Sequence, residues 1–346
     1  MKVTDFGVTS KGEEARLFTL SNASGMEAAV TDYGAALVQV IVPDKEGHPC
    51  DVVCGYDEAA AYEEGDLFFG ATVGRIANRI GGASFELNGK TYKLEENNNG
   101  NNLHSGMNFY CHRMWEVKET ADDHVTFALE SPDGDQGYPG AVHIEVTYTL
   151  TEDNGVKITY RAVPEEDTII NMTNHSYFNL DGHAAGEVLE QEVWIDADAF
   201  TRADAESIPT GEITPVEGTP MDFRTKKALG RDIETDYEAL NFGAGYDHNW
   251  VLNNKGEFAK VAEMSSSESG ITMEVYTDLP GMQLYTGNFI IEATGKGGAV
   301  YHKRQACCFE TQYFPDAVNK ANFEGPVYKK GEVYMTETMY RFSIAH

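Results

Sequence analysis

Strict alternation of apolar and polar residues is the feature that most constrains what this chain can fold into. Residues 142–150, VHIEVTYTL, place an apolar side chain at every second position. Successive side chains of a strand point to opposite faces, so this period of two predicts a strand with one buried face. Residues 156–162, 271–275 and 340–344 repeat the alternation. The chain therefore contains several half-buried strands.

A hairpin is predicted where two such alternating segments flank Asn88-Gly89. Phe85 and Leu87 precede this dipeptide, and Tyr92 and Leu94 follow it. A two-residue type I′ turn needs positive φ at both central positions, which asparagine and glycine tolerate best. A second turn is predicted at residues 152–155, EDNG, between the segments 142–150 and 156–162.

Helical patterns are few. Residues 57–64, DEAAAYEE, predict one short helix, and residues 225–233 predict another. Strands and helices do not alternate along the chain, so a parallel nucleotide-binding sheet is not expected. The fold class predicted for residues 1–346 is therefore all-β: a single domain built as a large antiparallel β-sandwich, with long loops that carry the chemistry.

The charge balance limits the partners that this chain can have. It carries 26 basic and 56 acidic residues, a formal net charge of -30. Such a surface repels the phosphates of nucleic acids and the head groups of anionic lipids. We therefore predict no nucleic acid and no membrane partner. A phosphorylated substrate is also disfavoured, unless a local basic pocket overrides the global charge.

The location is predicted to be the cytoplasm. No run of about 18 apolar residues is present, and the N-terminal segment lacks the apolar stretch of a secretory signal. The five cysteines are odd in number, and their spacings match neither a disulfide framework nor a zinc site. We expect them to be reduced, mostly buried thiols.

Motifs of the common cofactor-dependent enzymes are missing from the sequence. It contains no G-x-x-x-x-G-K-[ST], no H-E-x-x-H and no G-x-S-x-G, and its ten histidines are not at metal-ligand spacings. The glycines near residues 295–298 do not open a helix after a strand, as a dinucleotide site requires. We therefore predict neither a cofactor nor a metal.

Five polar segments remain as candidates for a functional site. They are GRIANRI at 74–80, NNNGNNLHSG at 97–106, NMTNHSYFNL at 171–180, GYDHNW at 245–250 and CFETQYFPDAVN at 308–319. Amides, arginines and histidines mixed with aromatic residues suit a neutral sugar, whose hydroxyls need donors and acceptors and whose ring needs an apolar surface. Glu310 has apolar neighbours, which raise the pKa of a carboxyl and suit acid–base work. Leu103 suggests that the loop before His104 folds inward.

With IPTGEI at 208–213, GTPMDFR at 218–224 and LPGMQLYTGNF at 279–289, these segments resemble the aldose 1-epimerase (galactose mutarotase) family, in the family's order. The resemblance implies a single large antiparallel β-sandwich. It implies that Glu310 is the general base and His175 the general acid. The residues implied to line the sugar site are Asn78, Arg79, His104, Ser176, Tyr177, Asp247 and Gln283. The resemblance gives Arg75 no role, and we expect it to form a structural salt bridge.

The implied activity is interconversion of the α and β anomers of a free hexose such as galactose or glucose. Anomers interconvert by ring opening and reclosure, which need proton transfers but no redox step or covalent intermediate. The predicted partner is a small sugar, and no oligomeric state is predicted. Three alternatives stay open: a hexose-6-phosphate epimerase relative, a non-catalytic sugar-binding module, and a glycoside hydrolase using Asp247 and Glu310.

Overall fold

The computed structural model describes residues 1–344, and strands dominate them. The first fifteen strands are β1 (Lys2–Val8), β2 (Glu14–Ser21), β3 (Glu27–Thr31), β4 (Ala36–Pro43), β5 (Pro49–Asp51), β6 (Ala71–Val73), β7 (Arg79–Ile80), β8 (Ser84–Leu87), β9 (Lys90–Lys93), β10 (Asn102–Leu103), β11 (Glu116–Thr120), β12 (His124–Ser131), β13 (Val142–Leu150), β14 (Gly155–Pro164) and β15 (Thr168–Ile169). The other fifteen are β16 (Thr173–His175), β17 (Tyr177–Phe178), β18 (Glu192–Ile195), β19 (Ala199–Ala203), β20 (Pro209–Pro215), β21 (Lys227–Ala228), β22 (Asp247–Val251), β23 (Ala259–Ser265), β24 (Ile271–Thr277), β25 (Gly281–Tyr285), β26 (Ala293–Thr294), β27 (Val300–Tyr301), β28 (Cys307–Gln312), β29 (Val327–Tyr328) and β30 (Tyr334–Ile344).

The strands predicted from alternation are confirmed. Segments 142–150, 156–162, 271–275 and 340–344 lie in β13, β14, β24 and β30, and their apolar positions are buried except for Ile344, which is half-buried. The predicted hairpin is β8–β9, with Asn88 at φ 53° and Gly89 at φ 75°. Both central residues therefore have the positive φ that a type I′ turn requires.

Two short α-helices occur in the described residues, α1 (Ala59–Glu64) and α2 (Glu238–Gly243), besides single 3₁₀ turns. The helix predicted at 57–64 is confirmed as α1. The helix predicted at 225–233 is wrong, because Lys227 and Ala228 form β21 and pair with β18 instead. Lys227 is buried, and its ammonium group donates to the Pro220 carbonyl at 2.6 Å and to Asp232 at 2.7 Å. Neither α-helix is long and apolar enough to cross a membrane.

Two antiparallel sheets form the sandwich. The larger has nine strands in the order β11-β12-β13-β14-β30-β24-β23-β18-β21, and the smaller has six in the order β17-β28-β25-β22-β19-β20. Their inner faces pack together: Phe178 of β17 lies 4.7 Å from Tyr340 of β30 between ring centroids, and Cys307 of β28 lies 3.6 Å from Met264 of β23 between sulfur atoms. A third sheet, β1 to β5 in sequence order, adds Phe18, among others, to the same core. The predicted all-β antiparallel sandwich is confirmed.

The six-stranded sheet has a second face that turns away from this core. On β28, Cys307 and Phe309 pack into the core, whereas Cys308 packs in a separate cluster. The strand alternates, so Glu310 and Gln312 share the face of Cys308. This outer face, covered by loops from the rest of the chain, carries the candidate site.

Arg75 is fully buried, but its expected salt bridge is wrong. Its guanidinium group donates to the carbonyls of Pro139 at 2.8 Å and Gly140 at 2.9 Å, and to the hydroxyls of Thr168 at 3.2 Å and Ser131 at 2.8 Å. Within residues 1–344 no carboxylate forms an ion pair with it. The irregular loop after β12 turns its carbonyl oxygens inward, and these neutral acceptors partner the two terminal nitrogens of the buried guanidinium group, whereas its Nε has no hydrogen-bond partner among the described residues.

Candidate active site

Strand register brings four polar residues together on the outer face of the six-stranded sheet. Glu310 of β28 pairs with Gln283 of β25, which in turn pairs with Asn249 of β22. Directly paired residues on neighbouring strands point to the same face. Asp247 lies two residues before Asn249 and therefore joins this face. All but the half-buried Asp247 are at most 4% exposed.

Two of the sequence motifs meet above this sheet because β7 and β10 pair, with Arg79 opposite Leu103. Next to this pair, the His104 N–H donates to the Asn78 carbonyl at 2.9 Å, and the Asn78 N–H donates to Nδ1 of His104 at 3.1 Å. Both residues have left-handed backbone conformations, with φ of 61° for Asn78 and 52° for His104. The loop before His104 therefore folds inward, as expected.

The backbone contact fixes the protonation of His104. Because the Asn78 N–H donates to Nδ1, that nitrogen is an acceptor and the hydrogen sits on Nε2. Burial lowers the pKa of His104 well below its usual value, and the charges of His175 and Arg79 lower it further. His104 is therefore neutral and offers an N–H donor at Nε2.

These elements enclose a cavity of about 390 Å³. Its lining comprises Asp66, Leu67, Phe68, Asn78, Arg79, Asn98, Asn99, Leu103, His104, His175, Tyr177, Ala205, Glu206, Ser207, Phe242, Asp247, Gln283, Tyr285, Phe289 and Glu310. Nine residues were predicted from the sequence to be catalytic or to line the sugar site, and eight of them line this cavity.

Ser176 is the nominated residue that the structure does not bring to the cavity. It is buried, and its hydroxyl donates to the Asn174 side chain at 2.6 Å. Ser176 lies between His175 and Tyr177, which both line the cavity. Alternation along an extended chain turns the residue between them the other way.

His175 and Glu310 form a buried pair at the cavity, with Nε2 of His175 3.6 Å from Oε2 of Glu310. Burial raises the pKa of Glu310 well above its usual value, and the Asp247 carboxylate raises it further, against the opposing charge of Arg79. Burial also lowers the pKa of His175, to about 4. Proximity favours the charged pair, whereas burial favours an uncharged acid beside an uncharged imidazole.

A chain of amide side chains runs beneath the cavity. The Asn78 amide donates to Gln312 at 3.4 Å, Gln312 donates to Gln283 at 3.2 Å, and Gln283 donates to the Asp247 carboxylate at 2.9 Å. Each amide is oriented by the next, so the direction of every donor and acceptor is fixed before a ligand arrives. The site is thus pre-organised to bind a polyhydroxylated ligand.

The comparison that decides the family is the match of residues 16–341 to the family model described as aldose 1-epimerase. The chain belongs to the aldose 1-epimerase family. The resemblance drawn from the sequence motifs is therefore confirmed.

Relatives of this family match nearly the whole chain. The galactose mutarotase of Sus scrofa is 42% identical over 318 residues, which are 91% of each chain. The aldose 1-epimerase of Escherichia coli is 35% identical over 334 residues, which are 96% of each. Among solved structures, an aldose epimerase homologue from C. elegans aligns with a TM-score of 0.89 at 31% identity, covering 96% of this chain and 100% of that one. The galactose 1-epimerase of Lactobacillus acidophilus gives 0.87 at 25% identity, covering 100% and 99%.

Several residues that line the cavity were not predicted from the sequence motifs. Phe68 packs against both site histidines, with ring-centroid distances of 4.9 Å to His104 and 5.7 Å to His175. Tyr285 stacks on Phe289 at 6.2 Å. The position of Tyr285 at the cavity could have been predicted, because it lies two residues after Gln283 on the same strand and so shares its face. Phe68 has no comparable signal, because a loop brings it there.

Asn98 holds Arg79 in place, and no specific role for Asn98 was predicted from the sequence. The side-chain amide oxygen of Asn98 accepts a hydrogen bond from Nε of Arg79 at 3.0 Å. This contact uses Nε and leaves the two terminal nitrogens of the guanidinium group for other partners.

His104, His175 and Glu310 bring metal-ligand atom types within 4.8 Å of one another. A histidine that binds zinc must offer an unprotonated ring nitrogen. The contact from the Asn78 N–H to His104 leaves the hydrogen of His104 on Nε2, so this atom suits a hydrogen bond to a hydroxyl rather than a metal bond. The donor set therefore fits a sugar better than a metal ion.

Proposed function

We propose that this chain is an isomerase that interconverts the α and β anomers of free hexoses, with galactose and glucose as substrates. The observation that carries the proposal is the buried pair of His175 and Glu310, 3.6 Å apart, at a cavity lined by fixed hydrogen-bonding groups. Relatives named galactose mutarotase and aldose 1-epimerase support it. We propose further that the protein acts in the cytoplasm as one domain, without cofactor, metal, nucleic acid or membrane.

The reaction needs two proton transfers around one carbon. To open the ring, a proton leaves the hydroxyl O1 and another reaches the ring oxygen O5, and both oxygens are bonded to C1. In the proposed mechanism Glu310 accepts the proton of O1, while Nε2 of His175 gives its proton to O5. Rotation about the C1–C2 bond presents the other face of the aldehyde, and the two transfers then reverse. The pair ends as it began.

Burial assists both transfers. A raised pKa makes the Glu310 carboxylate a stronger base, and a lowered pKa makes the His175 imidazolium a stronger acid. Ring opening converts the charged pair into the uncharged pair, which is the state that burial favours. Each group typically contributes about 10²- to 10⁴-fold in rate.

The remaining lining residues are proposed to hold the sugar. Asp247 and Gln283 offer an acceptor and donors from the amide chain, and His104 and Arg79 offer N–H donors. Tyr177, beside His175 with ring centroids 5.1 Å apart, supplies an aromatic surface. Fixed partners of this kind keep O1 and O5 facing the pair, so that little reorganisation precedes proton transfer.

The charges of the cavity argue against a phosphorylated substrate. Its lining includes the carboxylates Asp66, Glu206, Asp247 and Glu310, and among the described residues that line it the one Lys or Arg is Arg79. A dianionic phosphate would meet net repulsion here rather than the cationic cluster that such groups need.

Polarimetry on freshly dissolved sugars tests the proposal. We expect the protein to accelerate the decay of optical rotation of α-glucose and α-galactose, and to act far more weakly on glucose 6-phosphate. Stronger action on the phosphate would favour the hexose-6-phosphate alternative. Binding of the free sugars without acceleration would indicate a non-catalytic sugar-binding module.

A further inference from the structure

The imidazole of His175 is held between two residues of a single strand. Cys308 and Glu310 are two residues apart on β28 and share its outer face. The sulfur of Cys308 lies 3.6 Å from Nδ1 of His175, and Oε2 of Glu310 lies 3.6 Å from Nε2. All three residues are buried. One strand therefore determines what each of the two ring nitrogens meets.

The proposed reaction needs one tautomer of His175. Nε2 must lose its proton to O5 and later regain it, so in the uncharged ring Nε2 is bare and the hydrogen is on Nδ1. With that tautomer, the proton of an uncharged Glu310 carboxyl can move to Nε2 and form the charged pair in a single transfer. With the opposite tautomer, Nε2 is already occupied and the transfer is blocked.

We propose that Cys308 is a positioning residue for the reaction: its sulfur accepts a hydrogen bond from Nδ1–H of His175 and thereby keeps Nε2 as the proton-exchanging atom. Burial raises the pKa of the Cys308 thiol well above its usual value, so the acceptor is an uncharged thiol. The titratable residues packed around the ring are Cys308, Glu310, His104, Tyr177 and Tyr285. Among side chains of residues 1–344, only Cys308 forms a hydrogen bond to Nδ1, and the backbone of His175 itself is a further hydrogen-bond partner that raises the pKa of the ring.

The adjacent cysteine supplies a matched control. Cys307 is also fully buried on β28, but it faces the core, where its sulfur lies 3.6 Å from the sulfur of Met264. Cys307→Ala and Cys308→Ala thus delete the same group from neighbouring positions of one strand. Only Cys308→Ala removes the side chain that contacts Nδ1 of His175.

The test is ¹⁵N NMR of the histidine rings, with His175 assigned by the loss of its signals in His175→Gln. In the wild-type protein at neutral pH we expect Nδ1 to be protonated and Nε2 to be bare. In Cys308→Ala the population should shift toward protonated Nε2, and in Cys307→Ala it should not. A wild-type ring that carries its hydrogen on Nε2 overturns the proposal, even if no variant folds.

The kinetic arm rests on the proposed function, whereas the NMR arm does not. Loss of one neutral hydrogen bond should lower the kcat of Cys308→Ala by about 2- to 10-fold with little change in KM. Cys307→Ala should keep the kcat of the wild type per folded molecule. Equal losses in both variants would refute the positioning role. Absence of mutarotation in the wild type, with the expected tautomer present, would refute the proposed function alone.

Discussion

Replacing Glu310 by glutamine separates its proposed role as a base from a purely structural one. The substitution keeps the shape of the side chain and one acceptor oxygen, but an amide does not accept the O1 proton at neutral pH. General-base catalysis contributes about 10² to 10⁴ in rate, which corresponds to about 3 to 5 kcal/mol of barrier. We therefore expect kcat to fall by about that factor, with a smaller change in KM because the sugar's other contacts remain.

The same substitution should not destabilise the fold. Burial raises the pKa of Glu310, so between the unfolded pKa, about 4.3, and the raised folded pKa the native state holds a proton that the unfolded chain has lost. Stability then falls as pH rises through this window, by about 1.4 kcal/mol per pH unit. Glutamine removes this penalty. At pH 7 we expect Glu310→Gln to have a Tm equal to or above that of the wild type, and the difference should shrink toward pH 4.

Both quantities are measured on one preparation, kcat by polarimetry and Tm by thermal unfolding at pH 4 and pH 7. The control is Glu263→Gln on β23 of the nine-stranded sheet, where the carboxylate pairs with Lys226 and Lys260. It should leave kcat unchanged. If Glu310→Gln instead loses stability at pH 7 and keeps its turnover per folded molecule, Glu310 is a structural group and the mechanism is wrong.

Three further predictions follow from the site. His104→Ala should mainly raise KM, because His104 only holds the sugar. His175→Ala should mainly lower kcat, by about 10²-fold or more, because it removes the proposed acid. The reverse pattern in steady-state kinetics would refute the assignment of His175 as the acid. Exhaustive dialysis against EDTA should leave mutarotation intact, and loss of activity that added zinc restores would contradict a metal-free mechanism. The active pair carries one proton, so kcat/KM should be flat near neutrality, fall on the acid side as His175 is protonated around pH 4, and fall on the alkaline side above the raised pKa of Glu310. A profile that rises through the ordinary carboxyl range near pH 4.3 and survives in His175→Gln would assign the acid limb to Glu310 instead.

Local sequence pattern predicted the strands better than the helices. Alternation identified β13, β14, β24 and β30 because each of these strands buries one face against the core and leaves the other only partly buried. The false helix at 225–233 shows the limit of such patterns. There, pairing of β21 with β18 and the buried ammonium group of Lys227 outweigh the helical propensity of a short segment. The missed helix α2 spans six residues and has no side-chain N-cap, so its sequence carries little helical signal.

The candidate site was predictable in composition but not in geometry. His175 and Glu310 are 135 positions apart in the sequence, and only the fold shows that their side chains meet. The alternation of side chains along a strand could have predicted two further features of the site. It implies that Ser176 points away from the cavity and that Gln312 lies on the same face of β28 as Glu310. The protonation of His104 depends on a backbone donor from another loop, and no local pattern encodes that contact.

Direct observation of anomer exchange is the measurement that bears most closely on the central claim. In an equilibrated solution of galactose, proton NMR resolves the α and β anomeric hydrogens, and saturating one reports transfer to the other. We expect catalytic amounts of the wild-type protein to cause this transfer, and Glu310→Gln to abolish it while remaining folded. Absence of transfer with the wild-type protein, for galactose and glucose alike, would contradict the proposed interconversion of anomers.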